Sequence, residues 1–366
     1  MKKVTALFLL FILNICLSLN PVAAKVKSTD SKAKKSAYKK VNKRKVASAP
    51  AAKKRSKVSV RSRTKIARLK SGRAKRLVAY SPSRSSVSRQ AVPISVGDKL
   101  GLNHSENILG LRSNAALVMD ESSSEILFAK NPEAVLPIAS LTKLMTALVV
   151  LEAKQDMDEV LTVTSEDVDR IKFTSSRLPV GARLTRREML HIALMSSENR
   201  AASALGRHFP GGLPAFVEAM NVHALLLGMS DTHYVEPTGL SSQNVSSARD
   251  LARLVSAAEA HPLIKEYSTA TEHAVEPGGR QLQYWNSNRL IRNSDWDIVL
   301  QKTGYISEAG RCLVMKAIIE GRSVIMVFLD SKGKYSRASD ANRVRGWLEK
   351  VKLPALTQSV TELGVN

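Results

Sequence analysis

The sequence is poor in cysteine and aromatic residues and has no apolar run of transmembrane length. Only two of its 366 residues are cysteines, Cys16 and Cys312, and aromatic residues make up 5%. A disulfide-rich scaffold is therefore excluded. The main apolar run, residues 6–19, is 14 residues long, shorter than the roughly 20 residues that a transmembrane helix needs. No glycine-rich phosphate loop occurs, so we expect no cofactor. His191, His208 and His223 lie on predicted helices without metal-ligand spacing, so we expect them at the surface and expect no metal.

The first 24 residues have the pattern of a secretory signal peptide. Two lysines precede the apolar run, and Val22-Ala23-Ala24 supplies small residues for a signal peptidase after it. We expect cleavage after Ala24 and a mature protein that works outside the cytoplasm, with a retained anchor as the alternative. Cys16 would leave with the signal. Cys312, in the apolar stretch "CLVM", is then expected to be a buried, unreactive thiol.

Acidic residues are nearly absent from the segment that follows. Residues 25–90 hold 24 lysines and arginines and one acid, Asp30, whereas residues 91–366 hold 30 basic and 31 acidic residues. Few large apolar side chains are present, so we predict a disordered basic leader over 25–102. For a secreted protein we expect no nucleic-acid partner. Anionic wall or membrane surfaces could attract the leader, and a plain linker is the alternative.

The remaining chain predicts a folded body over residues 103–352 and a short tail over 353–366. Two strands separated by residues 121–124 begin it, a helix follows Pro137, and several helices form the middle. Thr185 and Glu188 have the spacing of a capping box. Three strands and a last helix complete the body. This order predicts an α+β fold, with an antiparallel sheet packed with helices and an inserted all-helical lobe.

A serine and a lysine lie three residues apart where the helix after Pro137 should begin. The Ser-x-x-Lys pattern is weak alone, because it occurs five times: at Ser31, Ser36, Ser62, Ser140 and Ser331. Only Ser140 and Lys143 precede an apolar helix. Residues i and i+3 share a helix face, and a helix N-terminus offers free N–H groups and disfavours a protonated lysine. This context predicts a nucleophile with its base.

Two further motifs follow in the order expected for serine acyl transfer. Ser197-Glu198-Asn199 lies 57 residues after Ser140, although Ser-x-Asn also occurs at Ser105 and Ser242. Lys302-Thr303-Gly304 occurs once, 162 residues after Ser140 and at the end of a predicted strand. The set of three motifs is that of serine β-lactamases and penicillin-binding proteins.

Residues 103–352 resemble the D-alanyl-D-alanine peptidases of the low-molecular-mass penicillin-binding proteins. The likeness is greatest to the endopeptidase branch, the penicillin-binding protein 7 type. It is carried by "PIASLTKLMTALVVLEA", "LMSSENRAA", "VEPTGLSSQNVSSARDL" and "LQKTGYISEAGRCLVM". The resemblance implies a β-lactamase/transpeptidase-like fold, peptidoglycan stems and crosslinks as substrates, and β-lactams as inhibitors that acylate the enzyme.

The resemblance also implies a role for each motif residue. Ser140 would be the nucleophile, Lys143 its general base, and Ser197 a proton relay towards the leaving amine. The backbone N–H groups of Ser140 and Tyr305 would form the oxyanion hole. Substrate-binding residues would be Asn199, Lys302, Thr303, Gly304 and Tyr305, with Gly304 allowing close approach of the substrate backbone. Arg337 aligns loosely with an arginine that contacts substrate in related carboxypeptidases.

Four activities are compatible with these observations. The likeness favours an endopeptidase, as does the expected lack of the second β-rich domain and amphipathic membrane helix that many carboxypeptidases of this family carry, since the 16 residues after Lys350 do not form a basic amphipathic segment. A carboxypeptidase, a serine β-lactamase and a non-catalytic wall-binding protein are the alternatives. Glu236 lies at a spacing that suggests the deacylating glutamate of a β-lactamase, but its context, Glu-Pro-Thr-Gly-Leu, is that of the peptidases.

Overall fold

The computed structural model describes residues 94–351, and the central element of this part is a five-stranded antiparallel sheet. Its strand order is β2-β1-β11-β10-β9. The other strands form three two-stranded ribbons, β3-β6, β4-β5 and β7-β8. The strands are β1 (Ser113–Asp120), β2 (Ile126–Lys130), β3 (Leu136–Pro137), β4 (Val160–Thr162), β5 (Arg183–Thr185), β6 (Val245–Ser246), β7 (Glu272–Val275), β8 (Leu282–Trp285), β9 (Asp297–Ile306), β10 (Gly310–Ile319) and β11 (Arg322–Ser331).

Eight α-helices occur in the described residues, and most precede the last three strands. They are α1 (Val96–Lys99), α2 (Thr142–Glu152), α3 (Arg186–Met195), α4 (Asn199–Arg207), α5 (Gly212–Leu226), α6 (Ala248–Glu259), α7 (Pro262–Thr269) and α8 (Ser336–Leu348). The capping box of Thr185 and Glu188 is present at the start of α3. The predicted α+β order is therefore confirmed.

The sheet is covered on both faces, which explains why its central strands are apolar without alternation. One face packs on α8 through Ala341, Val344 and Leu348. The other face packs on α6, which carries Leu251, and on the other helices of the lobe, such as α2 with Leu144. The strands β1 and β2 pair as an antiparallel hairpin, and so do β10 and β11.

Residues 94–102, which were assigned to the leader, pack on the sheet. The Ser95 hydroxyl donates to Asp330 at 2.6 Å, and the Val96 N–H donates to the Glu308 carbonyl at 3.0 Å. The folded body therefore begins before residue 103, because these polar contacts tie a short helix to it. The predicted signal peptide, the remainder of the leader and the tail over 353–366 lie outside the described residues. Within residues 94–351, no helix is both long and apolar enough to cross a bilayer.

The environments of Cys312 and His191 were both predicted from the sequence. Cys312 is buried, as predicted, and burial raises the pKa of its thiol to about 12. His191 was expected at the surface, and this was wrong. Its ring stacks between Tyr267 and His273, at centroid distances of 4.3 and 3.9 Å, and burial lowers its pKa to about 4.

Candidate active site

Ser140 lies in a single 3₁₀ turn, Ala139–Leu141, that leads directly into α2. We had expected the serine on the helix itself, but the i, i+3 relation to Lys143 is preserved across the junction. The Lys143 Nζ donates to the Ser140 Oγ at 3.1 Å, to the Asn199 Oδ1 at 2.8 Å and to the Thr238 carbonyl at 2.6 Å. The ammonium is thus held beside the hydroxyl by two oxygen acceptors from other parts of the chain.

Lys143 is only 1% exposed, and this burial controls its protonation. Desolvation lowers its pKa to about 8, although the charges of Glu236 and Glu198 act in the opposite direction. A lysine with this pKa is neutral in roughly a tenth of molecules at pH 7. It can therefore accept a proton from a neighbouring hydroxyl, which an ordinary surface lysine cannot.

The Ser-Glu-Asn motif enters the site between α3 and α4. Asn199 is the first residue of α4, and its side chain accepts from Lys143 and donates to the Thr174 hydroxyl at 3.2 Å. Ser197 has a left-handed backbone with φ +66°, a conformation that serine rarely adopts and that concentrates at functional sites. The Ser197 hydroxyl makes no hydrogen bond to another residue in the range 94–351. This hydroxyl is therefore available to form a hydrogen bond with a substrate.

The loop over residues 236–244, whose contribution to the site was not predicted, supports the turn that carries Ser140. The Glu236 carboxylate accepts from the backbone N–H groups of Thr238 at 2.6 Å, Gly239 at 2.6 Å and Ser241 at 3.3 Å. The Asn244 amide also donates to it at 3.1 Å. Both carboxylate oxygens are thus used within the loop. Glu236 therefore holds its own loop together, which is not the role of a glutamate that activates a deacylating water.

Two glycines make close backbone packing around Ser140 possible. A Cβ at Gly239, where φ is +79°, would lie 1.9 Å from the Ala139 carbonyl oxygen. A Cβ at Gly304 would lie 2.9 Å from the Ile138 carbonyl oxygen and 3.1 Å from the Ser140 nitrogen. Gly304, predicted to allow close approach of the substrate backbone, also allows close approach of the turn that carries Ser140. Ala139 itself has φ +49°, so this turn is strained and depends on its neighbours.

We expect Gly239→Ala to lower the rate of acylation by penicillin at least about 100-fold, because displacing a reacting group by about 1 Å has that effect. Stopped-flow measurement with a fluorescent penicillin gives the rate. Gly228→Ala is the matched control, since Gly228 has φ +68° and no atom lies within 4 Å of its added Cβ. Both variants carry backbone strain, but only Gly239→Ala disturbs Ser140. Equal rates for the two variants would contradict the packing role.

The sequence predicted the Lys-Thr-Gly motif at the end of a strand. It lies inside β9 instead. Lys302 is fully buried and its Nζ donates to the Thr303 carbonyl at 3.0 Å. Burial, and then the charges of Lys143 and Arg337, hold the pKa of Lys302 well below its ordinary value. Tyr305 is 56% exposed. It follows Gly304, the residue that packs against the turn carrying Ser140.

Arg337, on α8, lies on the same strand edge. Its Nη1 donates to the Gly304 carbonyl at 3.0 Å. Burial and the neighbouring charge of Arg311 lower its pKa to about 10. The guanidinium nevertheless remains protonated at neutral pH. It places a positive charge beside the strand that packs on Ser140.

The geometry places the Ser140 hydroxyl beside the buried amine of Lys143, in a turn that packs against β9. Among residues 94–351, no group of three or more His, Cys, Asp or Glu side chains could hold a metal ion. The sequence matches the family described as D-alanyl-D-alanine carboxypeptidase over residues 103–333. This protein belongs to that family.

Individual relatives agree with this assignment. The chain is 48% identical to a D-alanyl-D-alanine endopeptidase of Pseudomonas aeruginosa over 67% of its own length and 80% of the relative's. It is 43% identical to the D-alanyl-D-alanine endopeptidase of Escherichia coli, over 66% and 79% of the two chains. The crystal structure of the Streptomyces K15 DD-transpeptidase has a TM-score of 0.61 at 26% identity. The match covers 65% of this chain and 97% of the transpeptidase chain. The β-lactamase/transpeptidase-like fold is therefore confirmed.

Proposed function

We propose that this protein is a serine D-alanyl-D-alanine endopeptidase that hydrolyses peptidoglycan crosslinks through an acyl-enzyme. The observation that carries the proposal is the buried Lys143 amine, 3.1 Å from the Ser140 hydroxyl, with a pKa lowered to about 8. Relatives named as endopeptidases support the choice of reaction. A carboxypeptidase acting by the same steps is the second candidate, supported by the description of the family.

In the acylation step we assign Ser140 as nucleophile and Lys143 as general base. Neutral Lys143 accepts the hydroxyl proton while the Ser140 Oγ bonds to the carbonyl carbon of D-alanine. The backbone N–H groups of Ser140 and Tyr305 would stabilise the oxyanion. The carbon–nitrogen bond then breaks, and the leaving amine receives a proton through Ser197. Asn199 orients the amine of Lys143 as well as the substrate.

In the second step water attacks the ester at Ser140 and releases the peptide with a free carboxylate. The same base that accepted the serine proton would accept one from water. Lys302, Thr303 and Gly304 would hold the substrate along the edge of β9. β-Lactams imitate the D-alanyl-D-alanine amide and would acylate Ser140 without ready hydrolysis. Glu236 is fully used within its own loop, which argues against a β-lactamase.

Incubation with purified muropeptide dimers and with pentapeptide monomers tests the proposed reaction. An endopeptidase converts dimers to monomers, a carboxypeptidase releases D-alanine from pentapeptide, and chromatography distinguishes the two products. A fluorescent penicillin is added in parallel. A stable label with dimer cleavage supports the proposal, rapid loss of label indicates a β-lactamase, and no label at all indicates a non-catalytic wall-binding protein.

We also propose that the protein works in the periplasm after removal of residues 1–24, and that residues 25–90 bind an anionic wall or membrane surface. The support is the charge of that segment, 24 basic residues against one acid. Charges of this density attract anionic polymers in a salt-dependent way. The chemistry would lie entirely in the folded body.

Deletion of residues 25–90 is expected to leave hydrolysis of soluble muropeptides unchanged and to weaken sedimentation with intact sacculi or anionic vesicles. The difference should be largest at 0.01 M salt, where the Debye length is roughly 30 Å. Binding assays across a salt series compare the truncated and mature chains. Equal sedimentation at every salt concentration would show that the segment is only a linker.

A further inference from the structure

A basic pocket lies next to the edge of β9, and within the described residues none of its charges is paired with a carboxylate. It has a volume of about 190 Å³ and is lined by Arg289, Arg311, Lys334 and Arg337, with Ser287 and Tyr335. No carboxylate lines it. None of the four cations forms a salt bridge with any residue in the range 94–351.

The pocket is joined directly to the edge of β9. The Ser287 and Thr303 hydroxyls are 2.7 Å apart, and Arg337 donates to the Gly304 carbonyl at 3.0 Å. A substrate held along Thr303 and Gly304 would therefore have its next groups at the mouth of this pocket. The pocket extends the cleft and is not a separate surface.

The cations are held close together although they repel one another. The charge of Arg311 contributes to the lowered pKa of Arg337, about 10. Arg311 lies over the Tyr305 ring at 4.5 Å, and Arg289 and Lys334 both lie near the Tyr335 ring, at 5.6 and 5.5 Å. Ring faces attract cations only weakly. A set of clustered, unpaired cations of this kind is complementary to a ligand with several negative charges.

We infer that Arg289, Arg311 and Lys334 bind the additional carboxylates of the leaving peptide stem and so select crosslinked substrates. This inference rests on the proposed endopeptidase function. Free D-alanine, the leaving group of a carboxypeptidase, carries one carboxylate, for which Arg337 is sufficient. The stem released from a crosslink carries several. Three further cations therefore match the surplus charge of a crosslinked leaving group.

The test compares the double variant Arg289→Gln/Lys334→Gln with Arg183→Gln/Lys350→Gln. All four positions are exposed, and both pairs of changes remove two positive charges. For each protein, kcat/KM for muropeptide dimers is divided by the second-order rate constant for penicillin acylation. We expect this ratio to fall about tenfold in the pocket variant, as loss of charge-assisted hydrogen bonds predicts, and to stay at the wild-type value in the control.

Dimers with amidated carboxylates supply the second half of the test. Wild-type enzyme should cleave them at least about tenfold more slowly than native dimers, whereas the pocket variant should lose less from amidation, because its partners are already absent. Equal losses in both proteins, or equal ratios in the pocket and control variants, would overturn the inference. Failure of the wild-type enzyme to cleave any dimer would overturn the proposed endopeptidase function, and the inference with it.

Discussion

Replacement of Ser140 by alanine is expected to abolish penicillin labelling and to reduce peptide hydrolysis by about 10⁴-fold or more, the scale seen when a covalent nucleophile is removed. No other hydroxyl donates to or accepts from the Lys143 Nζ within residues 94–351. A substitute nucleophile is therefore not available beside the base. Gel fluorescence after incubation with a labelled penicillin, together with muropeptide digestion, measures both activities.

The fold should survive this change. The Ser140 hydroxyl receives one hydrogen bond, from Lys143, and the lysine keeps its bonds to Asn199 and Thr238. We expect the melting temperature to change by no more than a few degrees. Ser242→Ala, at a second Ser-x-Asn pattern, is the control and should label normally. Persistent labelling of a folded Ser140→Ala protein would place the nucleophile elsewhere.

Much of the fold was predictable because its signals are local. Apolar runs of strand length and the capping box at Thr185 and Glu188 each depend on a few neighbouring residues. The hairpin of β10 and β11 is likewise marked by its turn. The start of the body was misplaced because Ser95 is held by Asp330, a contact across 235 positions of sequence that no local pattern encodes. His191 was misjudged for the same reason, since its stacking partners are distant in sequence.

The three motifs were predictable from the sequence, but the contacts that position their side chains were not. Each motif is a short string whose order along the chain carries the signal. Burial lowers the pKa of Lys143, and the Thr238 carbonyl helps to hold its amine beside Ser140; only the folded chain provides either. Gly239 looked like any turn glycine, and its role follows from an approach to the Ala139 carbonyl that has no trace in local sequence. The basic pocket likewise combines residues from β10, α8 and two loops.

Replacement of Lys143 by arginine is expected to lower the acylation rate by at least about 10³-fold, on the scale of general base catalysis. Arginine retains the positive charge but stays protonated in proteins, so it cannot accept the serine proton. Lys143→Met separates chemistry from packing, because it removes the charge while keeping an unbranched chain of similar length. Both variants should be inactive, and the methionine variant should still fold, because loss of the buried charge offsets part of the cost of leaving the Thr238 carbonyl without its donor.

The pH dependence of the wild-type enzyme provides an independent measurement of the same base. The pKa of Lys143 is lowered to about 8, so its neutral form increases as pH rises through that value. The rate of penicillin acylation should therefore rise about tenfold per pH unit below pH 8 and level off above it. Stopped-flow rates between pH 6 and 9.5 give the profile. A rate independent of pH over this range, or a Lys143→Arg protein that acylates normally, would show that Lys143 holds the turn in place and does not take the proton.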